Sequence, residues 1–200
     1  MPTRLQRLLL LLAIAALTGP ALAQDGALTV PRNLDQLVNR SAVILRGNVV
    51  SVRRESHPEL RGLDTVLVTI HVGEALKGQV GQTYTFRQHV WDLHNRVNPG
   101  GYHKGQDLVL LMIAPSRYGL SSPAGLDQGR FEVVRDGTGR ETAVNGRGNH
   151  QLFDGMSAQF AKQGVALSPA ASRLISSSGR GPVEIAELTA LIRELVERSR

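Results

Sequence analysis

The chain has 200 residues, no cysteine, and a formal net charge of +6 from 23 basic and 17 acidic side chains. That length can bury a core without disulfide staples, and the missing thiols exclude cysteine nucleophiles, cysteine-ligated zinc and a disulfide framework. With eight aromatic residues and no run of five basic ones, the composition also argues against a nucleic-acid-binding stripe.

Residues 1–23 read as a secretory signal peptide. Arg4 and Arg7 form a basic start, Leu8 to Leu17 an apolar stretch of ten, and Ala21-Leu22-Ala23 a small-x-small cleavage site. The apolar stretch is too short for a membrane span, and no later one is longer. Cleavage after Ala23 predicts a periplasmic or secreted bacterial protein that begins at Gln24. Losing the two arginines lowers the formal charge from +6 to +4. An excess that small sets no partner class by itself.

A β-domain is predicted over 30–145. Asn33 is placed to cap a short helix whose Leu34, Leu37 and Val38 fall at i, i+3 and i+4. Val43 to Arg54 reads as a strand. In TVLVTIHVGEALKG, residues 65–78, Val66, Val68, Ile70 and Val72 share one face while Thr65, Thr69 and His71 stand on the other. GQTYTFRQHV, residues 81–90, repeats the alternation, with Tyr84 and Phe86 opposed to Thr83, Thr85, Arg87 and His89. A loop follows from Trp91 to Gly105. DLVLLMIA, residues 107–114, is apolar on both faces after Asp107, so something must cover each side. RFEVVR and RETAVN flank Asp136-Gly137-Thr138-Gly139 as a hairpin.

Residues 146–182 read as an irregular, weakly helical linker. Residues 183–199 form an amphipathic helix with Ile185, Leu188, Leu191, Ile192 and Leu195 on one face, suited to cover the doubly apolar strand. A detached tail for a partner is the alternative. Glu184, Glu187, Glu194 and Glu197 with Arg193 and Arg198 make its solvated side. Strands in sequence with helices at both termini predict a mainly β fold, a small five-stranded barrel whose closure removes exposed edges; an open sandwich is the other solution.

The stretch Ser41-Ala-Val-Ile-Leu-Arg-Gly-Asn-Val-Val50 after a short helix, then Glu74-Ala-Leu-Lys-Gly78, resembles the start of the netrin-like, OB-type barrel carried by the tissue inhibitors of metalloproteinases. It is also similar to a set of uncharacterised bacterial exported proteins, through the strand at Gly105 to Leu111 and the segment Gln128 to Val133. The resemblance spans about residues 33–145 and implies the barrel alone. Those inhibitors chelate zinc through an N-terminal cysteine and are disulfide-bonded, and this chain has no cysteine; cyclisation of Gln24 would abolish a free amine as well.

If the second and third strands pair, Thr69, His71, Thr83, Thr85, Arg87 and His89 share one outer surface, with Trp91 and Tyr102 at its edge to stack on a sugar ring or anchor a protein. The bland reading of these residues is a solvated face with Trp91 plugging the barrel end. His89, His94 and His103 are metal-ligand candidates, yet a strand end running into a loop does not fix their geometry, and unliganded loop histidines are commoner. No Gly-x-Ser-x-Gly elbow, phosphate-cradling loop or His-Glu-x-x-His helix occurs, and Asp64, Asp92, Asp107 and Asp127 are scattered. The sequence therefore predicts a non-enzymatic exported binding protein without a cofactor, an accessory or inhibitor-like module for another envelope or secreted protein. Its alternative ligand is an oligosaccharide or anionic polymer over the outer face.

Overall fold

The computed structural model describes residues 29–90, 97–177 and 181–199. The signal segment, Trp91, Asp92 and His94 lie outside the described residues.

The first helix, α1 (Leu34–Arg40), begins at a reciprocal cap. The Asn33 side chain accepts from the Gln36 amide at 3.0 Å while the Gln36 side chain accepts from the Asn33 amide at 3.1 Å. Leu34, Leu37 and Val38, on one face of it, are fully buried. Two 14-residue strands follow, β1 (Val43–Ser56) and β2 (Asp64–Lys77), then β3 (Thr83–His89), β4 (Asp107–Met112), β5 (Arg130–Arg135), β6 (Glu141–Asn145) and the two-residue β7 (Val183–Glu184). Three further helices are α2 (Met156–Lys162), α3 (Pro169–Ser177) and α4 (Ile185–Arg198).

The strands form one sheet in the order β3-β2-β1-β4-β5-β6-β7, every neighbouring pair antiparallel. The protein is thus mainly β, with seven strands where five were expected. Both arms of the 130–145 hairpin join the sheet, and Val183 and Glu184 extend it. The sheet is not closed, since β3 and β7 are its two edges. The loop after β4 makes two isolated bridges, Arg87 of β3 to Leu120 and Met112 of β4 to Pro123.

The alternation in β4 divides the core in two. Leu108, Leu110 and Met112 pack with Leu45, Val49, Val66, Val68, Ile70 and Phe86 on one side. Val109 and Leu111 pack on the other with Ile44, Phe131 and the helical residues Leu188, Leu191, Ile192 and Leu195. Helix α4 therefore belongs to the core that covers the outer side of β4.

Residues 146–182, expected as a linker, supply seven buried side chains to that second core, Leu152, Phe153, Met156, Phe160, Ala171, Leu174 and Ile175. A buried asparagine pair fixes the entry to this segment. Asn145 Oδ1 accepts from the amides of Arg147 and Asn149, and Asn149 Nδ2 donates to Ala143 O and Gly181 O at 2.9 Å each. Asn149 takes a left-handed φ of 58°, which asparagine tolerates better than most residues.

Candidate functional site

Strand pairing settles which side chains share a face. In β2 and β3, Thr69 lies opposite Thr85, His71 opposite Thr83, Leu67 opposite Arg87, and Thr65 opposite His89. Thr69, His71, Thr83, Thr85, Arg87 and His89 are thus on one surface. The Thr69 and Thr85 hydroxyls are 3.0 Å apart. Arg87 is held by Glu55 of β1 at 2.7 Å and donates to the Thr65 hydroxyl at 3.1 Å.

Tyr102 does not stand at the edge of this face. Its ring is fully buried in the inner core, edge-to-face with Phe86 at 5.5 Å, and its hydroxyl donates to Gln88 Oε1 at 3.1 Å. Burial holds its phenol well above the usual tyrosine range, and the nearby Arg130 guanidinium opposes that shift. A phenol enclosed this way cannot stack on a ligand. The tyrosine turns inward because Pro99-Gly100-Gly101 forms a tight turn before it, with both glycines at positive φ, and Arg130 spans that turn and its ring.

The histidines do not assemble a metal site among the described residues. His89 Nδ1 lies 3.2 Å from Asp64 O, and exposed His103 lies with Nδ1 3.3 Å from Lys104 O. His57, buried in the β1–β2 turn, is structural. Its Nδ1 accepts from the amides of Glu59 and Leu60, so the proton sits on Nε2, which donates to Tyr118 O at 2.8 Å.

His71 leads to the residues that the sequence did not flag. It borders a cleft of about 330 Å³ lined by Arg46, Gly47, Asn48, Gly73, Glu74 and Asp107. A regular strand would put His71 and Glu74 on opposite faces. The β1–β2 register slips here: Arg46 pairs with Glu74 and Gly47 with Val72, leaving Gly73 unopposed as a β-bulge. The extra residue brings the side chains on either side of it to one cleft.

Hydrogen bonds hold the polar groups of the cleft. Asn48 Nδ2 donates to Asp107 Oδ1 at 2.8 Å and to Gly105 O at 3.0 Å. Arg46 donates to Glu141 Oε2 at 2.8 Å, while Arg135 takes Oε1 of the same carboxylate at 2.6 Å. These two guanidinium contacts, Arg135 first, hold the Glu141 carboxyl below its ordinary range. Arg193, reaching down from α4, donates its Nε to Glu74 Oε1 at 3.1 Å. The sequence signals for the cleft were His71 on the outer face, Asp107 at the head of an otherwise apolar strand, and glycines inside strands, which mark bulges or close approaches.

No protein-family model matches the chain, and no curated protein is significantly similar to it.

Proposed function

We propose that this protein is exported to the periplasm or medium, is not an enzyme, and binds an oligosaccharide along the outer face of β1, β2 and β3. The composition of that face carries the reading. Its described side chains are mostly polar, the hydroxyls, guanidiniums and imidazole of Ser51, Thr69, Thr83, Thr85, Arg53, Arg87 and His71, with half-buried Leu67 and the carboxylate of Glu55 among them. Protein-binding surfaces concentrate their affinity in aromatic and apolar anchors. The large apolar group exposed here among the described residues is Val50, 39% accessible. Sugars present hydroxyls that pair with such polar groups, and Trp91, which follows this region in sequence, is the candidate stacking residue.

The fold proposal behind this reading is that β1 to β4 form a netrin-like, OB-type barrel, with residues 120–123 as the closing fifth element. It is supported by the Arg87–Leu120 and Met112–Pro123 bridges and by the single inner core that β1, β2, β3 and β4 share. Barrels of this kind bind oligomeric ligands over one face.

The test is calorimetric titration of the chain from Gln24 with soluble bacterial envelope polysaccharides at two salt concentrations. Saturable, salt-insensitive binding that Thr69→Ala/Thr85→Ala weakens supports a neutral glycan. A steep salt dependence would instead assign an anionic polymer.

The second reading is an accessory or inhibitor-like module for another exported protein, and the edge of β3 favours it. Val72 donates to Gln82 O at one end of the β2–β3 ladder and Val90 to Asp64 O at the other. By the antiparallel alternation, the backbone groups of Thr83, Thr85 and Arg87 point away from the sheet. Arg87 O accepts from Ser121 N at 2.8 Å, while Thr83 and Thr85 offer an edge to an extended segment of a partner. Crosslinking and recovery from the native envelope tests it. One dominant protein, lost in Thr85→Pro, would replace the glycan reading.

A further inference from the structure

Two glycines border the cleft, and different physics keeps each of them a glycine. A Cβ on Gly47 would stand 2.3 Å from His71 O and 2.6 Å from Ile70 Cγ2. No side chain fits there, so packing alone requires that glycine. A Cβ on Gly73 would meet nothing nearer than Arg46 O at 3.7 Å, an ordinary contact. Nor does backbone conformation require glycine at this bulge, because Gly73 is not among the residues with positive φ. Glycine inside a strand costs stability relative to alanine. What its missing side chain provides here is open space, since any side chain at 73 would stand in the cleft.

We infer that this cleft is a discrete pocket for one neutral, polyhydroxylated ring, and that Gly73 is the residue that keeps it open. The inference rests on the oligosaccharide reading and places a single sugar unit beside His71 while the rest of the chain crosses Thr69 and Thr85. The charge arrangement selects a neutral ligand. Arg46 and Arg135 share the Glu141 carboxylate and Arg193 pairs with Glu74, so that with Asp107 the charges around the cleft balance, three of each sign. An anionic ring would face Asp107 and Glu74, and a cationic one would face Arg46. Within the cleft Asp107 and Glu74 present acceptors, Asn48 and Arg46 donors, and His71 either role. That mixture matches hydroxyls, which donate and accept at once. Because the ion pairs hold Arg46 and Glu74 in place, little side-chain freedom is lost on binding.

The deciding experiment uses the chain from Gln24, isotope-labelled and titrated by NMR with neutral oligosaccharides, namely N-acetylglucosamine oligomers and maltooligosaccharides, for wild type, Gly73→Ala, Gly73→Leu and Asp107→Asn. The expected result is saturable shifts at the amides of Asn48, His71 and Asp107. Gly73→Leu should weaken affinity by about tenfold or more, Gly73→Ala less, with the thermal unfolding temperature not lowered in either. Asp107→Asn, which keeps the shape and removes an acceptor, should weaken binding without changing the fold. If Gly73→Leu binds as wild type does and the shifts stay at Thr69 and Thr85, the pocket is wrong and the oligosaccharide reading survives. If wild type binds neither sugar series but binds an envelope polymer, the pocket assignment fails on ligand chemistry. If it binds no glycan at all, both fall.

Discussion

The outer side of the sheet is two regions built from the same strands. Along β1, Ile44 is fully buried, whereas Arg46 and Asn48, on the same side and two and four residues on, are half-buried. Along β4, Leu111 and Val109 are fully buried and Asp107 is exposed. Each strand changes character along its length, apolar under α4 and polar beyond it. Helix cover requires an apolar underside, and a solvated surface requires polar groups. The boundary between them is the cleft, where Arg193 of α4 reaches Glu74 and Glu141 reaches Arg46. Stability is concentrated on the covered side, and the bare side is free to be shaped for a ligand.

The sharpest way to break that division is substitution in the two halves. Leu191 of α4 is 1% exposed in the helix-side core. Leu191→Ala should cost about 2–5 kcal/mol, from lost transfer energy plus the cavity left behind. Thr85→Ala, on the bare face, should stay within about 0.5 kcal/mol. Urea denaturation of both variants compares them directly. Equal effects would mean that the bare face is as much a part of the folding core as the helices are.

The cleft glycines give the next largest difference. Gly47→Ala forces a methyl against the His71 carbonyl and should cost about 1–3 kcal/mol through strain and a shifted β1–β2 ladder. Gly73→Ala should be neutral or slightly stabilising, by less than about 1 kcal/mol, because its backbone accepts an ordinary residue. Thermal unfolding of the pair tests whether one glycine is structural and the other is not. A cost at Gly73 equal to that at Gly47 would remove the case for kept-open space.

An effect of similar size is expected where sequence reading misplaced a side chain. Tyr102→Phe keeps the ring packed on Phe86 but leaves Gln88 Oε1 buried without its donor, a loss of about 1–3 kcal/mol. If Tyr102 were instead a surface stacking residue, the substitution would leave stability unchanged and weaken ligand binding, and the two measurements separate the roles.

What sequence could and could not reveal follows from how local the physics is. The cap at Asn33, the alternating faces of β2 and β3, and the need to cover β4 on both sides are set by residues a few positions apart, and the structure shows each of them. The shared face of Thr69, Thr85 and Arg87 was legible because it needs only the β2–β3 register. The cleft was not, since Asp107, Asn48 and Glu74 meet only through the order of three strands and a bulge at Gly73 that puts His71 and Glu74 on one side. Tyr102 was misread because its partners Gln88 and Phe86 lie across a loop whose path composition does not dictate. Residues 146–182 looked like a linker because their apolar residues are sparse and fall in short helices of seven and nine residues. Each is too short to show a clear periodicity, and they bury together only against the sheet.

The smallest predicted effect lies at the junction itself, and it depends on pH. Arg135 and Arg46 hydrogen-bond the Glu141 carboxylate and hold its pKa below the ordinary value of 4.5. A carboxyl with a lower pKa when folded than when unfolded adds stability above its unfolded value, and loses it as pH falls through the folded one. Stability should therefore decline as pH drops below about 4.5, and Glu141→Gln should flatten that part of the profile. Melting temperature followed from pH 6 to pH 3 for wild type and variant, in roughly 0.1 M salt where exposed pairs are partly screened, reads the difference. Parallel profiles would mean that Arg46 needs no carboxylate to hold it. The cleft would then owe its shape to the bulge at Gly73 alone, and not to the ion pairs that cross from the covered region to the bare one.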